Sequence, residues 1–531
     1  MRCPGSAKVD AMVVLRPGNG FSRRALLRTS ALGLVAAPAL AACSNDTGPA
    51  LVRQRPTLTH GVAVGDPRSD GALLWARSDR PATLIVETAA TESFTDAKRF
   101  AGPLLTPDSD GTGRLRVSGL PAGELVHYRV TLEGEDGATS EPLTGVFRTA
   151  PLAPADIRLH WSGDVAGQGF GINPDIGGMK IFSTMAARDP HLFLHSGDVV
   201  YADGPLQETV ALPDGRVWKN IVTEAKSAVA ETLDQYRGQY AYNLSDDNVR
   251  RFNASVAQLV QWDDHETTNN WSPGGTVAAD KGYTERDMNV LAARAWQAFH
   301  EWNPLDPHEA ADGRLYRAIS YGPLLDVFVL DMRTYKDTNG ANTAPDGRIF
   351  GPQQTRWLID GLRASTATWK IIANDLPLGV VVPDGKTAYE GPANGKAGAP
   401  SGRESEIAQV LSAIKRDRVT GVVWLTADVH YTAAHHYSPE RAAFTDFDEF
   451  WEFVSGPLNA GAFGPNTLDP TFGPEAVFVH APPQPNTSPL DGAYQHFGEV
   501  LIDGRSRELT VNLCDANGSV LFSRRLPAPG R

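Results

Sequence analysis

The sequence predicts an α/β body preceded by a small β-sandwich, and three observations carry that prediction. Residues 57–150 break into short apolar runs between turn signals. Beyond a proline-rich hinge, strand-like runs alternate with longer amphipathic segments, the pattern of an α/β sheet. Four of those later runs end in polar clusters containing Asp or His.

Residues 1–43 stand apart from the fold. Within them "SRRALLRTSALGLVAAPALAAC" holds paired arginines, Arg23 and Arg24, a short apolar run and a small-residue site before Cys43. This reads as a twin-arginine export signal, and Leu40-Ala41-Ala42-Cys43 resembles a lipobox whose cysteine takes a lipid anchor. The run is too short and alanine-rich for a spanning helix, which needs about 20 strongly apolar residues. Residues 44–56 read as a linker. The expected location is the cell surface or periplasm, with the membrane touched only through Cys43, or release as a secreted protein.

Losing residues 1–42 removes six Lys/Arg and one Asp, and takes the net charge from −13 to −18. So acidic a body repels nucleic-acid phosphates, and no nucleic-acid partner is expected. Of three cysteines only Cys514 lies beyond residue 43, which leaves no disulfide framework. A monomer is expected.

The sandwich strands are "GALLWARS", "ATLIVETAA", "GRLRVSGL", "LVHYRVTLEG" and "GVFRTA". Leu120-Pro121 ahead of Tyr128 fits the tyrosine strand of fibronectin-type sandwiches. The hinge "APLAPAD" at 150–156 then opens a body over 157–525. Its strands are "IRLHWSGD", "HLFLHSGD", "ASVAQLVQWDD", "LLDVFVLDMR", "TWKIIAND" and "TGVVWLTAD", with helices over 176–189 and near 286–301, 353–364 and 403–416. The polar stretch 219–252 reads as a helical insertion.

The clusters at the strand ends are Asp164, Asp198 with Tyr201, Asp263-Asp264-His265-Glu266, and Asp428-Val429-His430. Ligands gather outside the carboxyl ends of strands in open α/β sheets, so clusters far apart in sequence can converge there. Carboxylate, imidazole and phenol suit hard or borderline cations, and two ions about 3.5 to 4 Å apart can clamp an in-line phosphoryl displacement. Asp198 is placed to bridge such a pair. The Tyr201 phenolate suits Fe(III) above most divalent ions. Taken singly, each cluster also fits a structural role: a Gly-Asp turn, a solvated acidic turn, a capped strand end, or in "DMRTY" a salt-bridged loop.

These residues, with "THGVAVGDP", "LLWAR", "FRTAP", "HSGDVVYADG", "QWDDHETTNN", "VLDMRTY", "GPQQTRWL" and "LTADVHY" in that order, resemble the alkaline phosphatase D family. That family is the PhoD-like branch of the calcineurin-like metallophosphoesterases. The resemblance implies a four-layer αββα metallophosphoesterase domain behind a fibronectin-like sandwich, with Fe(III) beside a divalent ion. Ca2+ is the foremost second ion, with Zn2+, Mn2+ or Fe2+ as alternatives. The metal residues it implies are Asp164, Asp198 as bridge, Tyr201, Asp264, Asn374, Asp428 and His430. His265 would touch the phosphate. Independently of the resemblance, the planar fork of Arg333 suits a phosphate clamp or a pair with Asp331 within its loop. The sequence departs from the family at Ser162-Gly163-Asp164, where many members read Ser-Cys, and over 391–403, which lacks a tryptophan-rich loop.

The expected activity is hydrolysis of phosphate monoesters, diesters or both by a metal-bound hydroxide, on an exported phosphoester that includes phosphorylated polymers. The alternative is an exported lipoprotein that binds cell wall or carbohydrate and carries an inactive phosphatase-like domain.

Overall fold

The computed structural model describes residues 55–305 and 314–530. The export signal with Cys43, and the linker as far as residue 54, lie outside the described residues.

Side-chain alternation along the strands builds the centre of the molecule. In Leu325–Val329, residues Leu325, Val327 and Val329 join one apolar cluster while Phe328 joins another. The same split separates Leu192 and Leu194 from Phe193, Ile371 from Ile372, and Val423 and Leu425 from Trp424. Residues two apart share a face, so an unbroken apolar run is a strand covered on both sides.

Two sheets present their shared faces to each other. The first has nine strands, ordered from one edge Val520–Leu526, Leu509–Asp515, His496–Ile502, Ile157–Ser162, Leu192–Ser196, Ala257–Gln261, Leu58–Arg68, Gly71–Ser78 and Thr112–Val117. The second has seven: Arg317–Ser320, Leu325–Val329, Trp369–Ala373, Val422–Thr426, Phe450–Val454, Thr432–Tyr437 and Pro474–His480. Within each, the central strands run parallel. Polar stitches cross between the sheets: Gln261 Nε2 donates to the carbonyls of Leu330 and Ala373, and Trp161 Nε1 to that of Thr426.

Helices cover both outer faces. Lys180–Ala186, Asp247–Ser255 and Met288–Trp302 bury Phe182, Phe252 and Phe299 with Phe193 and Val260 of the first sheet. Gly351–Ala364 and Glu404–Arg416 bury Leu358 and Leu411 against Phe328 and Trp424 of the second. The layers are therefore αββα.

The amino-terminal sandwich pairs Leu58–Arg68, Gly71–Ser78 and Thr112–Val117 with a four-stranded sheet of Lys98–Leu105, Ala82–Ala89, Leu125–Glu133 and Leu143–Arg148. Its first strand also bridges in parallel to Ala257–Gln261, at Gly65 and Gln258, so the sandwich extends the nine-stranded sheet. The periodicity reading missed Leu58–Arg68, Lys98–Leu105 and the carboxyl-terminal strands. The stretch 219–252 contains the helix Leu233–Asn243 and the start of Asp247–Ser255.

Candidate metal centre

The parallel strands deliver the polar clusters to one place. Ile157–Ser162, Leu192–Ser196 and Ala257–Gln261 end just before Asp164, Asp198 and Asp263-Asp264. From the facing sheet, Trp369–Ala373 and Val422–Thr426 end just before Asn374 and Asp428. His430 follows on the same loop.

The backbone is bent to achieve this. Asp164, Asp198, Asp428 and His430 have φ of 69°, 49°, 67° and 59°, in the left-handed region that side chains other than glycine seldom adopt. Such conformations cost on the order of 1–3 kcal/mol each and persist where the surroundings over-determine them, as at functional sites. Gly197, at φ 92°, makes the preceding turn. A Cβ there would lie 2.4 Å from that of Asp263. At Gly167 a Cβ would meet the Tyr201 ring at 2.4 Å, so this glycine lets the phenol lie flat.

Three groups of side chains offer ligand atoms within 4.8 Å of one another: Asp164, Asp198 and His430; Asp198, Asp264 and His265; and Asp263, Asp264 and Asp428. Asp198 belongs to the first two. The Tyr201 hydroxyl lies 2.7 Å from His430 Nε2, and that nitrogen is 3.5 Å from Asp164 Oδ1. The other ring nitrogen, Nδ1, donates to the Gly461 carbonyl at 2.5 Å. His430 is thereby held with Nε2 turned toward the carboxylates, in the tautomer a metal needs.

Burial leaves these acids short of charge compensation. It pushes Asp164, Asp198 and Asp428 well above the usual carboxylate range, and neighbouring carboxylates add to the shift. The Tyr201 phenol is raised by burial, then by Asp198 and Asp164. His430 is lowered to about 4 by burial. Asp164 Oδ2 and both amide atoms of the fully buried Asn374 have no hydrogen-bond partner in the protein. Converging buried carboxylates, one with an oxygen that has no partner, an orphaned amide, an oriented imidazole and a phenol are a donor set that fits metal ions.

His265 stands at the mouth of the site, its ring 4.2 Å from that of Tyr201. Burial acts to lower its pKa, but Asp203, Asp264 and Asp198 outweigh burial and raise it well above the usual value. It opens onto a cleft of about 680 Å3 whose walls include Gln168, Asn269, Lys281 and Asn339. Arg333 reaches the site too, but it does not line that cleft. Its side chain is fully buried, with Nε on Asp375 at 3.0 Å, Nη1 on Glu390, and Nη2 on Asp263 and on Asp428 at 3.2 Å. Two roles were expected of Arg333, a phosphate clamp or a pair within its own loop; the described side-chain contacts are all with carboxylates, and Asp331 accepts from its backbone N–H.

Two neighbouring acids received no role of their own in the sequence reading, although Glu266 was named within its cluster. Asp203 accepts from His265 Nδ1 at 2.6 Å. Glu266 accepts from the backbone N–H of Val199 and of Asp263, which ties the loops that carry Asp198 and Asp264 together. Both lie inside the quoted strings "YADG" and "DDHE", so being an acid next to a predicted ligand was the available signal.

A family model of the PhoD-like phosphatases matches residues 159–513, two-thirds of the chain, and that of their N-terminal domain matches residues 42–151. The chain belongs to the PhoD-like phosphatase family. It is 27% identical over 478 residues to alkaline phosphatase D of Bacillus subtilis (strain 168), covering 84% of this chain and 77% of that protein. The solved structure of PhoD superposes with a TM-score of 0.66 at 21% identity, over 89% of this chain and 92% of that one. A purple acid phosphatase from yellow lupin seeds gives 0.55 at 12% identity, over 89% and 74%, which shows the shared fold. This PhoD-like chain is thus a phosphoric ester hydrolase with acidic and histidine groups that can bind metal. Among the described residues no helix is long and apolar enough to cross a membrane.

Proposed function

We propose that this chain is an exported, metal-dependent phosphoesterase acting on phosphate monoesters, diesters or both at a two-metal centre. The observation that carries the reading is Asp198, whose carboxylate belongs to two adjoining ligand groups. Asp164, Tyr201 and His430 would hold the first ion, with Fe(III) favoured by the phenol. Asp264 and Asn374 would hold the second, a divalent ion with Ca2+ foremost. When bound, the ions supply an activated water and screen the phosphate charge.

The protein's own groups do the rest. His265, its Nδ1–H held by Asp203, presents Nε2 to the cleft, where a proton at that atom can stabilise a phosphate oxygen or pass to the leaving oxygen. The Tyr201 ring packed beneath it fixes the imidazole plane. Glu266 keeps the Asp198 and Asp264 loops at a constant separation. Export through the paired arginines and anchoring at Cys43 belong to the same reading, with a monomer as the working unit.

The test combines metal analysis, a visible spectrum, and rates on 4-nitrophenyl phosphate and bis(4-nitrophenyl) phosphate. Stoichiometric iron with a tyrosinate charge-transfer band, lost in Tyr201→Phe, is expected alongside hydrolysis of one or both esters. Protein that binds no metal and cleaves neither ester after metal loading sinks the proposal. Full activity with zinc alone removes only the ferric assignment.

A further inference from the structure

Resting on the phosphoesterase reading, we infer that Lys281 is a specificity-determining residue, which pairs with a second anionic group of the substrate, a phosphate or carboxylate beyond the phosphate that reacts. The favoured substrates are then phosphoesters whose alcohol portion itself carries negative charge. The charges on the cleft wall carry this reading. Apart from tyrosines, four charged or titratable side chains line the cleft: Asp203, His265, Lys281 and Asp384. Three of them are engaged. Asp203 holds His265 Nδ1 and the Asn269 N–H, while Asp384 accepts from Asn270 Nδ2 at 3.1 Å and from Asn339 Nδ2 at 2.9 Å. Lys281 pairs with no acid among the described residues, and none of the described arginines lines the cleft.

The backbone beneath this ammonium is fixed. Lys281 sits at the tip of a hairpin-like loop, residues 275–288, in which Thr276 bridges to Asp287, the Val277 N–H donates to the Arg286 carbonyl at 3.0 Å, and Arg286 Nε donates to that of Val277 at 2.7 Å. On its inner side Val277, Tyr283 and Met288 join the apolar cluster of the first sheet and its helices. On the other side Glu231 Oε2 accepts from the N–H groups of Thr284 and Glu285 and from the Thr284 hydroxyl. Gly282, at φ 84°, turns the chain at the tip, and the Lys281 N–H closes onto the Ala278 carbonyl at 3.2 Å. The side chain itself is exposed. A loop already held in place adds little ordering cost when an anion arrives.

Size and charge then say what Lys281 meets. A cleft of about 680 Å3 is of the size that takes a whole small ligand, so it holds the rest of the ester as well as the reacting phosphate. Lys281 shares no hydrogen bond or ion pair with His265 or with the proposed metal residues, which sets it on the part of the wall that faces that remainder. In so acidic a body an unpaired cation on the wall of the site draws an incoming anion toward it. An ammonium is a compact point charge that demands no planar, two-pronged partner, so a phosphate and a carboxylate both suit it.

The experiment measures competitive inhibition of nitrophenyl ester hydrolysis by two ladders of non-hydrolysable probes. One ladder is the alkylphosphonates from propyl to hexyl; the other is the diphosphonates, which carry a second anion at the far end of the same chains. Excess Ca2+ in every assay removes chelation as a source of any difference, and each comparison is a ratio within one protein, so a loss of active enzyme cancels. The unmutated chain is expected to favour at least one diphosphonate over its alkylphosphonate by about threefold or more, the scale of an exposed ion pair. That preference should shrink as NaCl is raised. Lys281→Ala is expected to abolish it, Lys281→Glu to invert it and Lys281→Arg to keep it. No preference at any chain length, or a preference that survives in Lys281→Ala, overturns the inference and leaves the proposed function standing. A chain that hydrolyses neither nitrophenyl ester sinks both.

Discussion

Asp203 shows what one side chain adds to the site without touching a metal. Its Oδ1 lies 2.6 Å from His265 Nδ1, and its Oδ2 accepts from the Asn269 N–H at 2.8 Å. The carboxylate thus fixes the ring and the loop behind it together. Asp203→Asn keeps the size and one acceptor but removes the charge that holds a proton on the ring. The expected result is a fall of about tenfold to a hundredfold in kcat on 4-nitrophenyl phosphate, the usual cost of losing a histidine's orienting partner. Metal content and the thermal melt should stay unchanged, and a loss of fold instead would show Asp203 to be structural. Legibility at this scale was uneven. Asp198, Tyr201, Asp264 and His430 follow apolar runs that end at the same edge, so sequence alone pointed to their meeting. The contacts of Asp203 with His265, and of Arg333 with the buried Asp375 and Glu390, are of another kind. They depend on how loops fold back, and no periodicity records that.

At the scale of elements, the segment 391–403 is held by the start of the helix Glu404–Arg416. Glu404 Oε2 accepts from Asn394 Nδ2 at 3.2 Å and from the Ser401 N–H at 3.0 Å, while Asp469 accepts from the N–H groups of Asn394 and Gly395. Burial raises the Glu404 carboxyl to about 8, and the nearby Asp469 charge adds to the shift. The folded pKa therefore lies above the unfolded one, so folding favours the protonated form. This contribution is fully present below the unfolded value of 4.5 and is lost as pH rises through about 8. Glu404→Gln, which keeps a neutral group of the same size, is expected to flatten the fall in melting temperature between pH 5 and pH 8. Melts of both proteins across that range check it, and parallel curves would refute it. The helix itself was legible from its periodicity. The loop was not, because its anchors are Asn394, Asp469 and Ser401, which share no repeat.

At the scale of the whole molecule, the sandwich reads in sequence as a separate domain before a hinge, yet the fold joins it to the catalytic layers by several independent routes. Tyr128 donates to the Ala254 carbonyl, Trp75 Nε1 to that of Glu301 and Arg114 Nε to that of Asn303, each at 2.8 or 2.9 Å. Ala63 and Trp75 share an apolar cluster with Phe299 and Trp302, and Asp66 forms a buried bidentate pair with Arg317 on the edge of the second sheet. A chain cut to residues 157–525 would leave Ala257–Gln261 as a bare sheet edge, a site for aggregation, and Arg317 as a buried cation without its acid. Removing one partner of a buried pair costs about 3–5 kcal/mol, a large share of the roughly 5–15 kcal/mol that holds a typical domain together. The intact described body should therefore melt in one calorimetric transition, and the truncated chain should aggregate or melt far lower. Asp66→Ala isolates the ion pair: it should lower the melting temperature of the entire body while the metal content stays the same, because Asp66 contacts none of the proposed metal residues. Two well-separated transitions in the intact chain would show instead that the sandwich folds on its own and that these contacts only dock it.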